Sequence, residues 1–153
     1  MAQIKPVASR RQVLTGLATV PLLLAIPNFA HATAEAVEAE IKKLYADKKV
    51  ASGKIKLDVP QIAENGLVVP VTVDVESPMT EADYVKAIHV YADGNPLPGV
   101  VTYRFTPASG KASISFRMRL AQTQNIVCVA EMSNGSVYST KSEVKVTIGG
   151  CGG

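Results

Sequence analysis

Residues 112–120 read Ala112-Ser113-Ile114-Ser115-Phe116-Arg117-Met118-Arg119-Leu120. Every second side chain is apolar: Ala112, Ile114, Phe116, Met118 and Leu120. Between them stand Ser113, Ser115, Arg117 and Arg119. A period of two sustained this long places all the apolar groups on one face of a strand, and a helix offers no such face. The same period extends outward in both directions. Ile55, Leu57 and Val59 alternate with Lys56 and Asp58; Val71, Val73 and Val75 alternate with Thr72, Asp74 and Glu76; Val101, Tyr103 and Phe105 repeat the pattern. Runs at Val85–Ala92 and Ile126–Met132, and a last run carrying Val144, Val146 and Ile148, complete the set.

Turn signals separate these runs at Asn65-Gly66, Asp93-Gly94, Ser109-Gly110 and Asn134-Gly135, the last a strong hairpin signal. Pro96, Pro98 and Gly99 exclude a helix directly after Asp93-Gly94. About seven strands with one buried face each are best buried by packing two antiparallel sheets together. The expected fold is an immunoglobulin-like antiparallel β-sandwich, with a small open barrel as the alternative. Pro70 inside a good strand predicts an edge or a bulge.

Ahead of the strands, residues 34–46 read AEAVEAEIKKLYA. Val37, Ile41, Leu44 and Tyr45 form a helical stripe, Thr33 is placed to cap it, and Glu38 can pair with Lys42. This helix is expected to cover one end or one edge of the sandwich.

The charge has an address. The chain carries 16 Lys+Arg against 13 Asp+Glu. Lys5, Arg10 and Arg11 all precede residue 33 and no acid does, so the remainder is formally neutral. A neutral body lacks the basic footprint of nucleic-acid binding or anionic-membrane binding. Arg10-Arg11, the apolar run Gly16–Ile26 and Ala30-His31-Ala32 follow the order of an export signal, and the paired arginines resemble a twin-arginine signal. An ordinary secretory signal is the alternative. The apolar run is about half of the roughly twenty residues a spanning helix needs. Residues 1–32 are therefore expected to be removed, leaving no membrane anchor. Residues 33–148 are then the folded body, in a compartment outside the cytoplasm.

The chain ends Gly149-Gly150-Cys151-Gly152-Gly153. Glycine costs the most backbone entropy to order, so these five residues are expected to form a flexible arm that adds little to fold stability. Extended, the arm spans on the order of 17 Å, and it is thin enough to enter a channel. A free cysteine is only a few per cent thiolate at neutral pH, and no cation lies near Cys151 in sequence. That suits a thiol that is carried to other active sites better than one that catalyses by itself. Pairing of Cys151 with Cys128 and a reactive C-terminal Gly-Gly carboxylate are the alternatives. Cys128, between Val127 and Val129, reads as a small core residue. With two cysteines, two histidines and no CxxC, CxxCH or GxGxxG, no metal or cofactor is expected. His89, between Ile88 and Val90, reads as structural. Arg117 and Arg119 read as a solvated strand face.

The tail, taken with Pro60–Gly66, Ser77-Pro78-Met79, Asn95-Pro96-Leu97-Pro98, Val144-Lys145-Val146-Thr147 and the export signal, resembles the SoxY family, sulfur-carrying subunits of SoxYZ complexes in bacterial thiosulfate oxidation. The resemblance implies a periplasmic carrier that is not itself an enzyme, with sulfur intermediates held on Cys151. It also implies an immunoglobulin-like fold and a heterodimer with a SoxZ-like β subunit. A c-type cytochrome would conjugate thiosulfate, a hydrolase would release sulfate, and a sulfane dehydrogenase would act where present. Such carriers need only the tail cysteine, so Cys128 is a departure. An exported sandwich that binds a protein through an edge strand is the rival reading.

Overall fold

The computed structural model describes residues 32–46 and 48–149. Helix α1 (Ala34–Tyr45) precedes nine strands: β1 (Val50–Ala51), β2 (Ile55–Asp58), β3 (Ile62–Ala63), β4 (Val69–Val75), β5 (Val85–Ala92), β6 (Gly99–Arg104), β7 (Ala112–Met118), β8 (Gln124–Met132) and β9 (Val137–Val146). The larger sheet runs β1-β9-β8-β5-β6, with β3 beside the far end of β9, and the smaller runs β2-β4-β7. Seven strands have four or more residues, as the turn spacing leads one to expect. The two-residue strands β1 and β3 depart from the antiparallel scheme and pair parallel with β9.

The core lies between the sheets. Val69, Val71, Val73 and Val75 of β4 face Ile88, Val90, Ile126, Cys128 and Val144 from the larger sheet. Alternation in β7 holds: Ala112, Ile114 and Met118 are buried, while Ser115 and Arg117 are exposed. Pro70 sits in the middle strand of its sheet, opposite Arg117 of β7. Strand β2, however, pairs only with residues 72–75. At Pro70 the sheet has no third strand, so the missing N–H leaves no ladder bond unmade. The hairpin at Asn134-Gly135 joins β8 to β9, with Gly135 at φ 84° and the Asn134 side chain accepting from the Ser136 N–H.

Helix α1 lies on the outer face of the larger sheet, not on an end or an edge. Val37 and Tyr45 pack there with Tyr91, Val129 and Val137. The reason is that β5 and β8 carry apolar groups on both faces, and the second face needs a cover. Leu44 falls off the helical stripe and is 54% exposed; the covered positions lie one and two turns along from Val37, at Ile41, which is partly buried, and Tyr45, which is buried. Thr33 caps the helix by accepting from the Ala36 N–H at 3.3 Å. Lys43 pairs with Glu40 on the exposed side, in place of the expected Glu38–Lys42 pair. Among the described residues no helix is long and apolar enough to cross a membrane.

Candidate functional site

Arg10, Arg11, Gly150, Cys151, Gly152 and Gly153 lie outside the described residues. What the structure defines is the pole of the sandwich from which the tail departs. Five segments meet there, and hydrogen bonds tie them together. Residues 61–66 run beside the end of β9: the Lys145 N–H donates to the Gln61 carbonyl, the Thr147 N–H to Ala63, and the Gly66 N–H to Ile148 at 2.8 Å. The Thr147 hydroxyl adds a bond to the Glu64 carbonyl at 2.8 Å. Gly66 in turn accepts from the Leu120 N–H, which joins the β7–β8 loop to the cluster.

Asn95 and Gln124 stitch the remaining loops. The Asn95 amide donates to the Arg119 carbonyl at 2.9 Å, and its oxygen accepts from the Ala121 N–H at 3.0 Å and from the Gln124 amide at 2.9 Å. Gln124 is buried, and its oxygen accepts from the Gly94 N–H at 2.8 Å. A buried amide with its bonds satisfied holds loop geometry firmly, because leaving any of these groups unpaired is costly. The Ala32 N–H donates to the Asn95 carbonyl at 2.7 Å, which docks the start of α1 at the same pole.

Gly149 belongs with this cluster rather than with a free arm. A Cβ placed on it would lie 2.3 Å from the Ala121 carbonyl oxygen. Only glycine allows the backbone to come that close. The run of alternating residues ends at Val146, and Ile148, expected to continue it, is 67% exposed.

Cys128 is fully buried and unbridged, and burial pushes its thiol up to about 12. The core reading of this residue holds. His89 is half-buried between the Tyr45 and Tyr91 rings, with Nδ1 3.0 Å from the Thr102 hydroxyl. Burial lowers its pKa, opposed by the nearby Glu131 carboxylate. Arg117 and Arg119 are exposed and form one wall of an open groove of about 560 Å³ between the edges of β6 and β7, opposite Leu97, Val101 and Tyr103. Among the described residues no three His, Cys, Asp or Glu side chains converge on a metal-sized site.

Asn95, Gln124, Ala121 and the 61–66 segment were not singled out as functional by reading residue types. Their signals are the Asn65-Gly66 turn and, for Pro60–Gly66 and Asn95–Pro98, the family resemblance; Ala121 and Gln124 carry none.

A family model described as sulfur oxidation protein SoxY matches residues 41–151, ending on the tail cysteine. The solved structure of the sulfur carrier protein SoxY from Chlorobium limicola f thiosulfatophilum is 32% identical. It covers 76% of this chain and 100% of its own, with a TM-score of 0.64. Superoxide reductase (neelaredoxin) from Ignicoccus hospitalis is 17% identical with a TM-score of 0.56, over 76% of this chain and 94% of its own. A putative superoxide reductase from Thermotoga maritima is likewise 17% identical with a TM-score of 0.55, over 65% and 93%. These two show a shared fold alone. No curated protein matches the sequence. A helix-covered β-sandwich with a glycine-framed cysteine tail is thus of the sulfur carrier class. The chain belongs to the SoxY family, and with it to the Sox system of sulfur oxidation.

Proposed function

We propose that this chain is a periplasmic carrier, exported through its Arg10-Arg11 signal, that holds thiosulfate-derived sulfur covalently on Cys151. It presents that sulfur to partner enzymes and has no catalytic activity of its own. The observation that carries the reading is the fate of the other thiol. The chain has two cysteines, and Cys128 is sealed in the core as a neutral thiol. A neutral buried thiol is neither nucleophile nor attachment point, which leaves Cys151.

The chemistry then balances as follows. The Cys151 thiolate and the outer sulfur of thiosulfate join in an S–S bond, and the two electrons released pass to the c-type cytochrome that conjugates them. Water then cleaves the terminal S–S bond under the hydrolase, releasing hydrogen sulfate and leaving a persulfide on Cys151. A sulfane dehydrogenase, where present, oxidises that remaining sulfur. The carrier supplies the thiol and its placement. A SoxZ-like β subunit, forming a heterodimer with this chain, explains why a folded passenger without a cofactor is exported by a twin-arginine route.

Intact mass spectrometry of protein from cells grown on thiosulfate tests the proposal. The expected result is adducts in steps of sulfur or thiosulfonate mass, removed by reductant, mapped to Cys151 and abolished by Cys151→Ser. Cys128→Ser is expected to keep them. Adducts on the C-terminal carboxylate point instead to a thiocarboxylate carrier, and no adducts at all point to a binding module.

A further inference from the structure

The tail is shorter in effect than five glycine-rich residues suggest. Because Gly149 is fitted against Ala121, the cysteine is only two residues from the body, and its Cα reaches about 7 Å at full extension. A protein that acts on Cys151 must therefore come down onto the surface around Gly149. Even a modest interface covers several hundred Å² on each partner, which corresponds to a disc on the order of 15 Å in radius centred on the tail.

Most of the large apolar side chains exposed among the described residues come from the segments around it. Among the described residues, seven large hydrophobic side chains are exposed: Leu44, Val50, Ile62, Leu67, Val68, Leu97 and Ile148. Five of these seven come from the segments that meet at the tail's pole. Leu67 and Val68 follow Gly66, whose N–H bonds the Ile148 carbonyl. Leu97 follows Asn95, whose side chain bonds Arg119 and Ala121. Ile62 lies opposite Lys145 near the end of β9. Leu44, in the last turn of α1, and Val50, opposite Val137 at the start of β9, lie towards the other end. Scattered exposed apolar groups need no explanation, but a cluster in one place marks an interaction surface.

We propose that the apolar collar formed by Leu67, Val68, Leu97 and Ile148 is the docking surface for the enzymes that act on Cys151. Its occupant is the apolar rim of an enzyme's active-site well. This rests on Cys151 being the attachment site. The short tether adds a geometric condition: the reacting group in each such enzyme lies within about 10 Å of the rim that seats on the collar.

The test uses the mature carrier in its native complex, loaded with thiosulfate, as substrate for the sulfate-releasing hydrolase. Val68→Glu and Leu97→Glu replace collar residues that are 60% and 73% exposed. Leu44→Glu is the control at the far end, and thermal melting checks each fold. The expected result is a KM for the carrier raised about tenfold or more by each collar variant. The kcat is expected to change by less than about twofold, Leu44→Glu to match the wild type, and labelling of Cys151 by a small thiol reagent to stay unaltered. Should a glutamate variant fail to fold, Val68→Gln and Leu97→Gln repeat the measurement. An unchanged KM in the folded collar variants overturns the proposal. So does loss of turnover that traces to dissociation of the partner subunit, which makes the collar a subunit interface. A wild-type protein that carries no sulfur on Cys151 instead overturns the functional reading on which the proposal rests.

Discussion

Replacing Gly149 by alanine is the sharpest probe of how the tail is anchored. The new Cβ would stand 2.3 Å from the Ala121 carbonyl oxygen and 3.4 Å from its carbon. The molecule has two ways to relieve this. The β7–β8 loop can shift, which means distorting a network centred on a buried amide, and overpacking of that kind typically costs 1–3 kcal/mol, so about 2 kcal/mol here. Alternatively the chain end can lift away. Gly149 is four residues from the terminus, and lifting it sacrifices chiefly the bond from the Gly66 N–H to the Ile148 carbonyl at 2.8 Å. One such bond contributes roughly 1 kcal/mol net. Lifting is cheaper, so the expected loss is about 1 kcal/mol, read as a melting temperature lower by roughly 4 °C for a body of this size. Gly99→Ala is the matched control, since a Cβ there meets nothing within 4 Å. The assay pairs thermal melting with hydrogen exchange at the Gly66 amide, which is expected to lose protection only in Gly149→Ala. If both variants melt with the wild type and Gly66 exchanges unchanged, Gly149 is not an anchor and the free tail begins earlier.

Three further outcomes are expected. Gln124→Ala leaves the Gly94 N–H and one Asn95 bond unmade in a buried setting, and is expected to cost about 1–3 kcal/mol in denaturant unfolding; a variant as stable as the wild type refutes the role given to this amide. Tyr45→Phe removes a buried hydroxyl that has no hydrogen-bond partner among the described residues, so thermal melting should show no loss and even a gain; a clear drop means the hydroxyl is bonded after all. Burial lowers the pKa of His89 in the folded state, so below about pH 6.5 the unfolded chain takes up the proton first. The stabilisation is complete above that pH and falls as the pH drops through it, and His89→Gln is expected to flatten that part of a stability-against-pH curve.

Much of the fold was legible from local pattern. Alternation at Ile114, Phe116 and Met118 identifies a strand because the pleat has a period of two whatever surrounds it. Asn134-Gly135 identifies its hairpin because the required backbone conformation is itself local. The burial of Cys128 followed from its place between Val127 and Val129. Leu44 was misassigned because helical spacing alone does not say how wide the covered stripe is; the width depends on the curvature of the sheet beneath. The seat of α1 was likewise hidden, since nothing in residues 34–46 says which face of which sheet lacks a cover.

By itself, then, the sequence determined the strands, the turns, the helix and the presence of a lone cysteine in a glycine frame, all set by interactions among near neighbours. Only the tertiary structure decided that Gly66, Asn95, Ala121 and Gly149 meet at one pole. Their contacts close loops of tens of residues, and whether such segments converge depends on the order and register of the strands between them. The same convergence makes Gly149 a point of close approach rather than a link in a free chain. It also gathers Leu67, Val68, Leu97 and Ile148 around the tail, although in the sequence they are scattered among ordinary loops.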